Sequence, residues 1–144
     1  MNVIFLRKAF TLIELLIVIF IIGLLASISI TYTSTARNKA RDTRAVTDMA
    51  QIRIEAEKYY PDQTPNSYLG FNCANPSNMV ILCADIQKQI GSNPTINVTN
   101  DAYCAEIDLL ALSGPESWYC VDNTGRAKFY PDDPDCSGTI FTCE

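Results

Sequence analysis

Histidine is absent from this chain, and no two cysteines stand in a CxxC pair. Zinc sites and thioredoxin-type redox centres therefore lack their usual ligands at their usual spacing. GxSxG, P-loop and GxGxxG motifs are missing too, which removes the commonest hydrolase, nucleotide and dinucleotide signatures. Proline does not occur in the first sixty residues, and glycine occurs there once, at Gly23. A stretch that long without helix breakers reads as one long helix. All seven prolines and the other five glycines fall from Pro61 onward, so the last eighty-four residues read as a turn-rich head. Positive charge is scarce in that head: Lys88, Arg126 and Lys128 stand against eleven acidic groups, a net of −8. Such a head repels phosphate, and nucleic acid is not among its expected partners.

What the first sixty residues hold in abundance is apolar surface. Residues 10–30 are interrupted by polar side chains only at Thr11, Glu14, Ser27 and Ser29. As a helix this run is about 31 Å long, enough to cross a hydrocarbon core of about 30 Å. One reading is a cleaved secretory signal, with Arg7 and Lys8 as its charged start and Ser34-Thr35-Ala36 as its cut site. A second is a plain membrane anchor. A third turns on Glu14, only four residues into the run. A carboxylate at the centre of a bilayer costs about 2.5–3.5 kcal/mol on insertion scales, so an acid there is a functional candidate by default. Thr11-Leu12-Ile13-Glu14 also fits a capping box, in which Glu14 reaches back to the Thr11 N–H. On this local pattern the cap and the functional acid stay equally open.

Residues 31–60 carry six basic and four acidic groups, a net of +2. Arg37, Lys39, Arg41 and Arg44 cluster at the start of that stretch and read as a solvated or subunit-contacting helix face, with phosphate or lipid headgroups as the sharper option. Ala45, Met49, Ile52, Ala56 and Tyr59 recur at three- and four-residue steps and form an apolar stripe for packing against the head. Pro61 stops the helix.

All six cysteines, Cys73, Cys83, Cys104, Cys120, Cys136 and Cys143, lie in the head. An even number in a small loop-rich domain behind an apolar segment points to disulfides formed outside the cytoplasm. Six cysteines allow about 15 pairings, and the sequence does not choose among them. Met79, Leu82, Cys83, Ile86 and Ile90 follow a helical period, with Ser77 as N-cap and Gly91 as C-terminal stop. After a Pro/Asn loop, Tyr103, Ala105, Ile107 and Leu109 alternate with polar residues as a strand. Ser113-Gly114-Pro115 turns into a second strand from Trp118 to Val121, and Asn123-Thr124-Gly125 into a third through Phe129 and Tyr130. The expected fold class is α+β: a long N-terminal helix packed on a small antiparallel sheet. Folding the first two strands about residue 112 sets Cys104 opposite Cys120 as a cross-strand bridge. Cys136 with Cys143, and Cys73 with Cys83, would then close the remaining loops.

Arg7 to Val18, reading RKAFTLIELLIV, closely resembles the start of type IV prepilins and type II secretion pseudopilins. The resemblance implies leader removal between Ala9 and Phe10 by a prepilin peptidase, N-methylation of Phe10, and Glu14 as the fifth residue of the mature chain. It implies a leader (1–9), a transmembrane or assembly half of the helix (10–30), an amphipathic half (31–60) and a disulfide-stapled head (61–144). Family members more often carry Gly before the cut, where this chain has Ala9. They also often carry Pro about a third of the way along the helix, where this chain has Ser27, Ser29 and Thr31. The implied role is structural rather than enzymatic, without cofactor: a subunit of a surface filament for adhesion, motility or DNA uptake, or else a pseudopilin of a secretion system. A membrane-tethered enzyme or binding domain is the remote alternative. Implied partners are identical subunits, the inner-membrane assembly machinery, and membrane lipid before assembly. Four basic residues follow the apolar run and two precede it, which on a simple count favours a cytoplasmic head; the short leader, the cysteines and the motif place it outside.

Two features of the head remain. Some major pseudopilins hold Ca²⁺ in a C-terminal loop, and here Asp132, Asp133 and Asp135 supply carboxylates in a Pro-rich loop, though without EF-hand spacing. A solvated loop is the expected reading, with no metal. Asn97-Val98-Thr99 matches a glycosylation sequon.

Overall fold

The computed structural model describes residues 10–111, 116–139 and 141–143, the side chains of residues 28–32 excepted. Helix α1 covers Leu12–Asp62 and α2 covers Ser77–Ile90; strands β1 (Thr95–Val98), β2 (Tyr103–Asp108), β3 (Trp118–Asp122) and β4 (Ala127–Tyr130) follow. The chain divides into two compact units, Met1–Ala36 and Arg37–Glu144.

In the first unit α1 has no core of its own. Its described large apolar side chains stand exposed, from Leu12 at 82 % to Val18 at 46 %. The helix satisfies its backbone groups internally, the one regular structure besides a closed barrel that tolerates an apolar surrounding.

The second unit is an α+β head. The sheet is antiparallel in the order β1-β2-β3-β4. One face carries Tyr103, Ala105, Ile107, Tyr119 and Val121, packed with Met49, Ile52 and Ala56 of α1, Met79, Cys83 and Ile86 of α2, and Tyr68 and Phe71. Each large apolar side chain buried there contributes about 1.5–3 kcal/mol. The apolar stripe of α1 thus lies where its period placed it: Ala45, Met49, Ile52 and Ala56 are fully buried. Tyr59, the last member, is only partly buried and packs at a tilt against Phe71, ring centroids 5.6 Å apart.

Local expectations shift by a residue or two. α1 ends at Asp62 rather than Pro61, since proline constrains the residue before it and helix ends fray. Ser77 is the first helical residue of α2 rather than its cap; Pro76 takes the cap position, and its C=O accepts from the Met79 N–H at 2.9 Å. Gly91 closes α2 as expected, at φ 102° with its N–H on Gln87 O at 2.8 Å, a left-handed conformation that glycine adopts freely. The sheet has four strands, not three. The Pro/Asn segment supplies β1, a four-residue edge strand; Thr95, Ile96 and Val98 are β-branched and suit the ladder that β2 offers, although Pro and Asn flank and interrupt them. The turn at Ser113-Gly114-Pro115 lies outside the described residues.

All six cysteines pair, as Cys73–Cys83, Cys104–Cys136 and Cys120–Cys143. The first pairing matches expectation; the Cys104–Cys120 and Cys136–Cys143 pairings are wrong. Cys104 stands opposite Asp122, and Cys120 opposite Glu106. That register keeps both cysteines on one face but makes them diagonal neighbours, about 7–8 Å apart and beyond the usual disulfide span. Each instead bonds to the C-terminal segment lying across that face, forming a second cluster with Tyr130 and Trp118. Both faces of β2 are therefore covered, and Tyr103 through Ile107 are buried without alternation.

Candidate functional site

The N-terminal end of α1 is organised by Thr11 and Glu14. The Thr11 backbone N–H donates to Glu14 Oε2 at 2.9 Å and the Thr11 hydroxyl donates to the same oxygen at 2.8 Å. In return the Glu14 N–H donates to Thr11 Oγ1 at 3.3 Å. These bonds form the reciprocal capping box that the spacing allowed. Both bonds to the carboxylate fall on Oε2; no hydrogen bond reaches Oε1 from any described residue. The cap and an outside partner therefore do not compete for the same atom. No lysine or arginine occurs between Phe10 and Ala36, so this stretch supplies no cation of its own for Glu14. Phe10 itself is exposed. Ala9 and the rest of the leader lie outside the described residues.

Among the described residues no helix is long and apolar enough to cross a membrane. The apolar run continues into residues 28–30, whose side chains are not described.

Two carboxylates of the acidic loop bond within the loop itself. Asp133 Oδ1 accepts the Asp135 N–H at 2.8 Å, and Asp135 Oδ1 accepts from the Ser137 hydroxyl. These carboxylates shape their own turn. Among the described residues no group of three or more His, Cys, Asp or Glu side chains is placed to hold an ion.

Three acids that the sequence reading passed over do more than Asp132, Asp133 and Asp135. Asp42, which is buried, takes the Leu110 N–H at 2.9 Å and the Ala111 N–H at 2.8 Å, tying the end of β2 to α1. Asp122, fully buried, uses Oδ1 for the N–H groups of Thr124 and Arg126 and Oδ2 for the Cys143 N–H at 2.9 Å. Glu106 takes the Cys136 N–H. Each is a long-range tie whose partner is a backbone amide. The only sequence signal was an acid falling on a face otherwise destined for burial.

Residues 5–30 match a family model described as the prokaryotic N-terminal methylation motif. The chain carries the prepilin-type signature of type IV pilins and pseudopilins. No curated protein and no solved structure matches it significantly. The matched segment contains the Ala9–Phe10 bond, the Thr11–Glu14 capping box and the whole apolar run. The signature implies a chain that is membrane-anchored first and then assembled at the surface or in the periplasm.

Proposed function

We propose that the chain is a structural subunit of a type IV pilus-like surface filament, polymerised through its N-terminal helix once the leader is cut between Ala9 and Phe10. The observation that carries this reading is the state of Glu14. It is the only charged side chain from Phe10 to Ala36, and the large apolar side chains described around it, from Leu12 to Leu25, are exposed. One of its oxygens has no hydrogen bond from any described residue. A carboxylate carried into an apolar surrounding needs a cation. Cleavage removes Arg7 and Lys8 with the leader and creates one new cation, the amine of Phe10. Pairing Glu14 of one subunit with the Phe10 amine of its neighbour sets the stagger between adjacent helices. N-methylation of Phe10 keeps that amine charged. Before assembly the helix spans the inner membrane with the head outside the cytoplasm, where oxidised cysteines belong.

The test combines N-terminal sequencing with electron microscopy of material sheared from cells. The expected result is a mature chain beginning at methylated Phe10 and present in filaments. A chain beginning at Thr31 or Arg37 indicates an ordinary signal peptide and overturns the reading. Correct processing without filaments in the sheared fraction assigns the chain to a short periplasmic pseudopilus.

A further inference from the structure

Arg37, Lys39 and Arg41 are exposed, and none of their side chains forms an ion pair or hydrogen bond among the described residues. Most other described cations are engaged. Arg44 holds Asp85 at 2.6 Å, Lys58 holds Glu55, Arg53 and Arg126 donate to the carbonyls of Gly125 and Cys143, and Lys128 lies over the Tyr130 ring. The one acid inside the basic stretch, Asp42, is turned into the head and taken by two backbone amides. It offers Arg41 no compensation. Glu116 lines the same cavity as Lys39 without pairing with it.

The angular arrangement narrows the partner. At about 100° per residue, Arg37, Arg41 and Arg44 fall within about 60° of one another, while Lys39 lies roughly opposite. Arg44 accordingly lines the groove toward α2 and Lys39 the cavity beside Phe129. The four positions span about 10 Å of helix axis. Charges on two opposite sides of the helix suit a surface that the helix pierces better than a partner helix laid along one side. In sequence they begin seven residues after Ile30, the last residue of the apolar run.

We propose that Arg37, Lys39 and Arg41 form a collar that docks on anionic lipid headgroups when the subunit is held in the membrane. This rests on the membrane-inserted stage of the proposed function. Lipid phosphate supplies the negative charge that Asp42 withholds, and long basic side chains reach it while their stems cover apolar surface. The rest of the head is strongly acidic, so the collar is the part of it that an anionic surface attracts. Each basic side chain near such a surface strengthens the attraction about fivefold, and salt screens it.

The full chain is reconstituted with the head outward into vesicles of phosphatidylcholine alone or with 30 mol % phosphatidylglycerol (~30, chosen to give a strongly anionic surface), and lysines are acylated with a membrane-impermeant reagent. The expected result is Lys39 acylation about fivefold slower or more in the anionic vesicles, restored by high salt and by the double substitution Arg37→Gln, Arg41→Gln. Lys58, Lys88 and Lys128 should react equally in both. Equal Lys39 rates in an inserted chain overturn the collar alone. Protection that appears in both vesicles and grows with protein density overturns it in favour of a second copy as the partner. A chain that alkali strips from both vesicles is not inserted, and that result sinks the membrane-inserted stage along with the collar.

Discussion

The Glu106 carboxylate accepts a 2.8 Å hydrogen bond from the Cys136 N–H, joining the centre of β2 to the C-terminal segment that covers it. Burial, with Asp133 and Asp135 close by, pushes this carboxyl up to about 7, against the opposing pull of the Cys136 N–H. The native state therefore holds this proton where the unfolded chain has released it. The contribution to stability is complete below the ordinary glutamate range near 4.5 and is lost as pH rises through about 7. Asp48, pushed up to about 6 by burial and by Asp85, slopes the same way over a lower window.

Chemical denaturation of the oxidised chain should accordingly show stability falling between about pH 5 and pH 8, by no more than a few kcal/mol. Glu106→Gln keeps an acceptor for the Cys136 N–H and removes the titration. It should flatten the upper part of the slope and leave the variant more stable than the parent at pH 8. A parent whose stability rises across that range contradicts the assignment.

The two amide bonds of Asp42 make a second prediction. Asp42→Ala leaves the Leu110 and Ala111 N–H groups without their acceptor and should cost about 2–3 kcal/mol in urea denaturation. Asp42→Asn keeps one acceptor oxygen and should cost roughly half as much. Equal, negligible losses in both would mean that water serves these amides as well as the carboxylate does.

Peptide mapping without reductant should recover Cys73–Cys83, Cys104–Cys136 and Cys120–Cys143. Reduction should add the mass of about six hydrogens, two for each bridge. The Cys120–Cys143 bridge closes 23 residues, and replacing both cysteines with alanine should cost about 3 kcal/mol. A Cys104–Cys120 peptide would contradict the observed strand register.

The pairing of those cysteines marks where the sequence stops being legible. Periodicity located α2, β2 and the buried stripe of α1, and turn residues bounded β3 and β4, because these signals are local to each element. Which cysteine meets which depends on a register displaced by two residues, and on a C-terminal segment whose path no local pattern records. Strand β1 carries a mixed local signal, since Pro94 and Asn97 argue for a loop while Thr95, Ile96 and Val98 suit a strand, and its pairing with β2 is non-local. At the N-terminal site, four residues were enough to draw the capping box, because Thr11 and Glu14 are one helical turn apart. That Oε1 takes no bond from a described residue depends on the side chain's rotamer, which no spacing records.

That same oxygen shapes the last prediction, which concerns Glu14. If Glu14 serves only as a cap, its loss should cost at most about 0.5–2 kcal/mol and leave filaments present but less stable. If its charge also pairs with the Phe10 amine of a neighbour, removal leaves an uncompensated ammonium in an apolar interface, about 3–5 kcal/mol. Glu14→Ala removes both functions. It should enter the membrane at least as well as the parent, having shed an insertion cost, and should fail to assemble. Glu14→Gln separates the two. Gln holds the Thr11 N–H as Glu14 does and has no charge to offer an ammonium, so the cap survives and assembly should still fail. Processing at Phe10 and filament yield should be read together for each variant, so that failed cleavage is not mistaken for failed polymerisation. Normal filament yield from a correctly processed Glu14→Gln chain would leave the cap as the whole role of Glu14.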